Sequence, residues 1–167
     1  MIIRKAKLSE AKEIHNLIMH YAKKEMMLPR SLSELYENIR NYFVCVSKGK
    51  VVGCGALAID WIDLAEIKSL AVHDGYIGKG IGLLLINACA KEAQELGINR
   101  VFVLTSIPLF FKKFGFTETS KEDLPKKIWG ECAKCPKFPE CDEIALQYEI
   151  TKKRSKKPLL SSKKRTG

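Results

Sequence analysis

Three groups of residues in this 167-residue chain have the types and spacing to do chemistry. The first is a glycine-rich turn, Gly78-Lys79-Gly80-Ile81-Gly82-Leu83, between an apolar run and a long amphipathic one. Glycines let backbone approach a ligand closely, and the N–H groups of a following helix start make an anion site. A phosphate is the ligand such a turn suits. The second group is Glu66 and Lys68, two apart on a predicted strand. At that spacing both side chains project to one face, roughly 7 Å apart. They either act on a substrate or neutralise one another on a half-exposed face.

The third group is Cys132, Cys135 and Cys141. A Cys-x-x-Cys pair suits Zn²⁺, and Cys141 offers a third thiolate. A closed site wants four ligands, which Asp142, Glu143 or a residue brought by folding would have to complete. A structural zinc clip and a metal-free loop both stay open. Cys45, Cys54 and Cys89 lie in apolar segments, where a reduced cysteine acts as a small hydrophobe.

The elements that must position these groups can be read in order. The sequence MIIRKAK alternates as a first strand, and Ser9 is the expected N-cap of a helix that buries Ile14, Leu17, Ile18 and Tyr21. Ser31-Leu32-Ser33-Glu34 has the form of a capping box opening a second helix, with Leu32, Leu35 and Ile39 inward. Strands are predicted at residues 42–47 and 51–59, around Lys48-Gly49-Lys50, and again at 64–72. After the glycine turn, Leu84, Leu85, Ala88, Cys89 and Leu96 mark the helical stripe that Gly97 ends. A strand at 100–104, a short helix at 108–113, an extended piece from Phe116 and a closing strand at 144–150 complete the chain. That order describes an α/β protein, a mixed sheet with helices on both faces.

Composition narrows the partners. The net charge is +10, yet residues 152–165 hold eight Lys or Arg and no acid, leaving about +2 elsewhere. The expected organisation is therefore one domain over 1–150, including a Cys-rich loop at 129–143, and a basic disordered tail over 151–167. The tail can touch polyanions weakly, and the rest is not a nucleic-acid surface. No apolar run approaches the roughly 20 residues of a membrane helix, and Met1 leads into a polar segment. A cytoplasmic protein is expected. The turn fits neither a dinucleotide fingerprint, whose glycine spacing is longer, nor a P-loop, which needs Gly-Lys-Ser/Thr.

Leu70-Ala71-Val72-His73, Tyr76 and Gly78 to Leu84 together resemble the acetyl-CoA motif of the GNAT superfamily of N-acyltransferases, and the element order is similar to that fold up to about Ile150. The resemblance implies that the N–H groups of Gly78, Lys79, Gly80, Ile81, Gly82 and Leu83 hold the CoA pyrophosphate. Backbone groups of Leu70, Ala71 and Val72 would hold the pantetheine arm and the acetyl carbonyl. Ile77 stands where the family usually has Arg or Gln, so weaker CoA affinity is expected, with Lys79 as the substitute charge. A narrower resemblance covers Leu28-Pro29-Arg30-Ser31, Leu64 to Leu70, Phe102 to Thr105 and the Trp129–Glu143 loop. These are similar to stand-alone amino-acid N-acetyltransferases and to the acetyltransferase domain of N-acetylglutamate synthase, of arginine biosynthesis.

That likeness implies a chemistry. Acetyl transfer needs a neutral amine, a polarised thioester and a route for the amine proton. In many GNAT members a Glu at the Glu66 position deprotonates the amine, often through water. Arg30 and Lys68 would bind the carboxylates of an acidic amino acid, Arg by its planar fork and Lys as a point charge. Ser31 would either add a hydroxyl contact or serve only as the helix cap. The Tyr that often protonates the leaving thiolate is replaced by Phe111. No Arg follows Thr105, which leaves acidic and neutral amino acids open beside glutamate. His15 and His20 are expected to be solvated, His73 to shape a turn, and Trp61 and Trp129 to pack. Two other functions compete: a protein or peptide acetyltransferase of the same fold, and a non-catalytic acyl-CoA or metal sensor. The fold often pairs through sheet edges or helices, so a homodimer is within its reach.

Overall fold

A computed structural model describes residues 1–124 and 142–150. The strands are β1 (Ile2–Lys5), β2 (Tyr42–Ser47), β3 (Lys50–Trp61), β4 (Leu64–Val72), β5 (Arg100–Thr105), β6 (Thr117–Glu118) and β7 (Ile144–Glu149). The helices are α1 (Ala11–Ala22), α2 (Leu32–Glu37), α3 (Ile81–Glu95) and α4 (Pro108–Lys112). The strands form one mixed sheet in the order β1-β2-β3-β4-β5-β7-β6. Strands β4 and β5 run parallel, with Glu66 opposite Phe102, while β1–β2, β2–β3, β5–β7 and β6–β7 are antiparallel. The expected mixed α/β class is the one observed.

By packing, the described residues form two compact units, Met1–Ala58 with Ile67–Cys89, and Ile59–Glu66 with the described residues that follow Cys89. In the first, the period-2 alternation of β2 separates two cores. Tyr42 and Val44 join Ile14, Leu17 and Ile18 of α1 and Leu35 of α2 on one face. Cys45 joins Ile81 and Leu85 of α3 on the other, with Phe43 packed against them. Gly53 on β3 makes the second contact possible, since a Cβ there would meet Ile81 Cγ2 at 2.8 Å. In the second unit Leu64, Phe102, Leu124 and Ala145 form the core. Phe111 contacts Phe110 and Phe116 edge-on, and Phe116 meets Tyr148.

Four local expectations need correction. Ser9 is not the cap of α1. It lies inside a 3-10 turn, Leu8–Glu10, held because Glu10 takes the Lys7 N–H at 2.8 Å and pairs with Arg4 at 2.6 Å. Leu84 and Leu96 are exposed, and the buried stripe of α3 is Ile81, Leu85, Ile86, Cys89, Ala90 and Ala93. Trp61 does not pack, being 64% exposed at the end of β3 beside Ile62 at 85%. His20 is not simply solvated, since its Nε2 lies 2.8 Å from Asp74 Oδ2. None of the four was visible in periodicity, because each depends on what faces the residue in space.

Candidate active site

The glycine turn follows a single 3-10 turn, Asp74–Tyr76, in which the His73 ring accepts the Gly75 N–H at 3.1 Å. His73 is thus the turn residue expected. Gly78 and Gly80 have φ of +82° and +79°, values that L side chains rarely adopt, so glycine is required at both. The Gly80 carbonyl accepts the Leu84 N–H at 3.1 Å, which makes it the entry to α3. The first-turn N–H groups of Ile81, Gly82 and Leu83 therefore point out of the helix start beside the exposed Gly78-Lys79-Gly80. Dipole and donors together make that end attractive to an anion. Lys79 Nζ sits 4.6 Å above the Tyr76 ring, and Ile77 is 63% exposed and uncharged.

One residue before Leu70, strand β4 does something its sequence does not announce. Ser69 has φ of +54°, a left-handed conformation rare for a residue with a Cβ. It is held from both sides: Cys54 Sγ donates to the Ser69 carbonyl at 3.5 Å, and Tyr42 Oη donates to Ser69 Oγ at 3.4 Å. Burial pushes the Cys54 thiol up to about 12, so it is a fixed donor and not a nucleophile. A left-handed residue within a strand breaks the regular alternation and re-aims the residues after it. Beyond it the His73 N–H pairs with the Val52 carbonyl at 2.8 Å. Val72, one residue earlier, consequently aims its N–H and carbonyl away from β3.

Among the acceptor-binding side chains read from the sequence, Arg30 and Ser31 stand just before α2. Ser31 Oγ accepts the Glu34 N–H at 3.1 Å and the Ser31 N–H donates to Glu34 Oε2 at 3.0 Å. The capping box is formed in full. Arg30 Nε is shielded from solvent and meets no hydrogen-bond partner among the described residues. Its charge, opposed by that of Glu34, acts on the buried Tyr42 phenol, whose pKa is raised chiefly by burial. Tyr42 itself reaches Ser69, the left-handed residue next to Lys68 on β4, through its hydroxyl. A buried guanidinium N–H with nothing to bond is costly unless a ligand meets it, and a carboxylate is the natural one.

Glu66 is only 8% exposed and shares strand β4 with Lys68, which is half-buried. Phe111, at the place of the missing phenol, is buried among aromatic rings. Cys132, Cys135 and Cys141 lie outside the described residues, as does Trp129. Among the described residues no group of three or more His, Cys, Asp or Glu is placed to hold a metal ion. Among the same residues no helix is long and apolar enough to cross a membrane.

The sequence reading missed Ser69, Tyr42 and Tyr21. Serine at Ser69 carries no signal of its left-handed backbone. Tyr21 was legible only as a member of the buried stripe of α1, although a tyrosine there keeps a polar tip that must find a partner. Its hydroxyl donates to the Val72 carbonyl.

Known proteins resemble the chain along most of its length. The family described as acetyltransferase (GNAT) matches residues 9–116. An uncharacterised N-acetyltransferase of Chlorobaculum tepidum is 45% identical over 144 residues, covering 86% of this chain and 93% of that protein. An amino-acid acetyltransferase of Mycobacterium tuberculosis is 34% identical over 150 residues, covering 88% of this chain and 86% of its own. The crystal structure of N-acetylglutamate synthase from Neisseria gonorrhoeae, complexed with coenzyme A and N-acetyl-glutamate, superposes with a TM-score of 0.83 at 25% identity. That match covers 90% of this chain and 35% of the longer one.

Proposed function

The chain belongs to the acetyltransferase (GNAT) family, and from that premise we propose that it transfers acetyl from acetyl-CoA to the α-amino group of an amino acid, L-glutamate first among them. The observation that carries the reading is Arg30: a partly buried guanidinium whose Nε meets no hydrogen-bond partner among the described residues, in the same compact unit as Lys68. Such a group suits a small acceptor bearing carboxylates. A relative of 34% identity named amino-acid acetyltransferase supports the same acceptor class. With glutamate as acceptor, the product N-acetylglutamate would feed arginine biosynthesis in the cytoplasm.

In this reading the pyrophosphate rests on the N–H groups of Gly78 to Leu83, with Lys79 released from the Tyr76 ring to add charge. Pantetheine lies along Leu70, Ala71 and Val72, and N–H groups beyond Ser69 polarise the acetyl carbonyl. Arg30 and Lys68 hold the acceptor's carboxylates, and Glu66 removes the ammonium proton, directly or through water. The freed amine attacks the thioester carbon, its nitrogen gives up a second proton to water, and the tetrahedral intermediate collapses to the amide as the C–S bond breaks. Phe111 has no proton to give, so the thiolate leaves as such and is protonated by water, which a thiol pKa of about 8.5 tolerates. Ser31, with its oxygen committed to the Glu34 N–H, keeps only its own proton for a substrate.

The test is thiol release from acetyl-CoA with each of the twenty amino acids. Glutamate should give the highest kcat/KM. Turnover with none of them rejects the proposal, and turnover with peptides alone moves the acceptor to a protein.

A further inference from the structure

Tyr21, on the last turn of α1, binds two segments at once. Its backbone carbonyl accepts the Lys24 and Met26 N–H groups, both at 3.1 Å, and Glu25 turns left-handed with φ of +58° to end the helix. Its side chain reaches 51 residues along the sequence, donating to the Val72 carbonyl and lying 3.0 Å from Asp74 Oδ1. A phenol carries one proton, and here two acceptors face it. The second Asp74 oxygen is occupied by His20 Nε2 at 2.8 Å, with Lys24 Nζ 3.9 Å away. Asp74 thus has partners of its own on α1, whereas the Val72 carbonyl is met by the Tyr21 hydroxyl.

We infer that Tyr21 is a positioning residue for the acyl donor: its hydroxyl fixes the end of β4 by holding the Val72 carbonyl. The inference rests on the reading that Leu70, Ala71 and Val72 carry the pantetheine arm. Strand β4 needs such a hold. Ser69 is left-handed just upstream, and the 3-10 turn and the two left-handed glycines come just downstream. Between them only three residues would meet the arm, and His73 is anchored to β3 through Val52. Val72 faces the other way, so Tyr21 supplies what the sheet does not. A carbonyl oxygen has two lone pairs. Tyr21 uses one, so the second and the Val72 N–H stay available to an amide of the donor. Burial, then the hydrogen bond and charge of Asp74, push the Tyr21 phenol up to about 12, which keeps its proton in place at any working pH.

The experiment uses the full chain. CoA binding to the wild-type protein is measured first by calorimetry, then the steady-state constants of Tyr21→Phe, which keeps the ring that packs beside α2. Tyr21→Phe should raise the KM for acetyl-CoA about three- to tenfold, the size of one net hydrogen bond. Its kcat and its KM for the amino acid should stay within about twofold. Asp74→Ala should leave the acetyl-CoA KM within about twofold, since the phenol proton then goes to Val72 alone. A lowered Tm with an unchanged acetyl-CoA KM in Tyr21→Phe makes the contact a structural staple and overturns the inference. An Asp74→Ala effect as large as that of Tyr21→Phe overturns it too, because the carboxylate would then be the working partner. Absence of CoA binding by the wild type removes the premise itself, a result distinct from either.

Discussion

The donor turn and the acceptor side chains are built on opposite plans. In the proposed reading the turn from Gly78 to Leu83 binds through backbone, and its two left-handed glycines leave nothing within 4 Å of where a Cβ would stand. The proposed acceptor side chains come from separate places in the sequence, Arg30 before α2 and Glu66 and Lys68 on β4. A backbone site survives the change of a neighbouring side chain, so on the proposed reading Ile77 in place of a charge is expected to weaken phosphate binding without abolishing it. A side-chain site fails when one atom goes. On the proposed reading, specificity resides in those side chains.

Four measurements test that contrast. Glu66→Gln removes the proposed base while keeping its shape, and kcat should fall about 10²- to 10³-fold with little change in the KM for acetyl-CoA. A kcat within threefold of wild type would return Glu66 to being a partner of Lys68. Arg30→Ala should lower kcat/KM for the amino acid about 10- to 100-fold, the worth of a charge-assisted hydrogen bond. Calorimetry should find CoA bound as before, and a parallel loss of CoA binding would erase the distinction between the two halves. Ile77→Arg works in the opposite direction, tightening CoA about three- to tenfold by one charge-assisted contact, in a salt-dependent way.

The smallest effect is on acid stability. The Arg4 hydrogen bond lowers the pKa of Glu10 below its ordinary 4.5, and the Tyr21 and His20 hydrogen bonds lower that of Asp74 below 3.8. A carboxylate with a depressed folded pKa stabilises the fold above its unfolded value and loses that contribution as pH falls through the folded one. Urea midpoints should therefore drop below about pH 4.5 in the wild type. The slope should be shallower in Glu10→Gln and Asp74→Asn, and identical slopes would mean neither pair contributes.

The two halves also differed in how far they could be read without coordinates. Gly78 and Gly80 announced the turn because the freedom to take a positive φ is written in the residue type. The Ser31–Glu34 box announced the start of α2 because both partners lie within one turn. Leu85 and Ile81 were less clear, since the stripe of α3 is wide and its far edge, Leu84, turned out to face solvent. Tyr21 and Val72, Tyr42 and Ser69, and His20 and Asp74 are each distant in sequence, and nothing local to either residue names the other.

The amino-acid sequence by itself determined the mixed α/β class, most of the elements and the glycine turn at the entry to α3. These depend on short-range properties: periodicity, capping, and the φ range glycine allows. The tertiary structure decided the left-handed backbone at Ser69, the burial of Arg30 Nε without a partner among the described residues, and the hydrogen bond of Tyr21 to Val72. Each arises where helices α1 and α2 meet the face of β2, β3 and β4, so each is fixed by packing between distant segments.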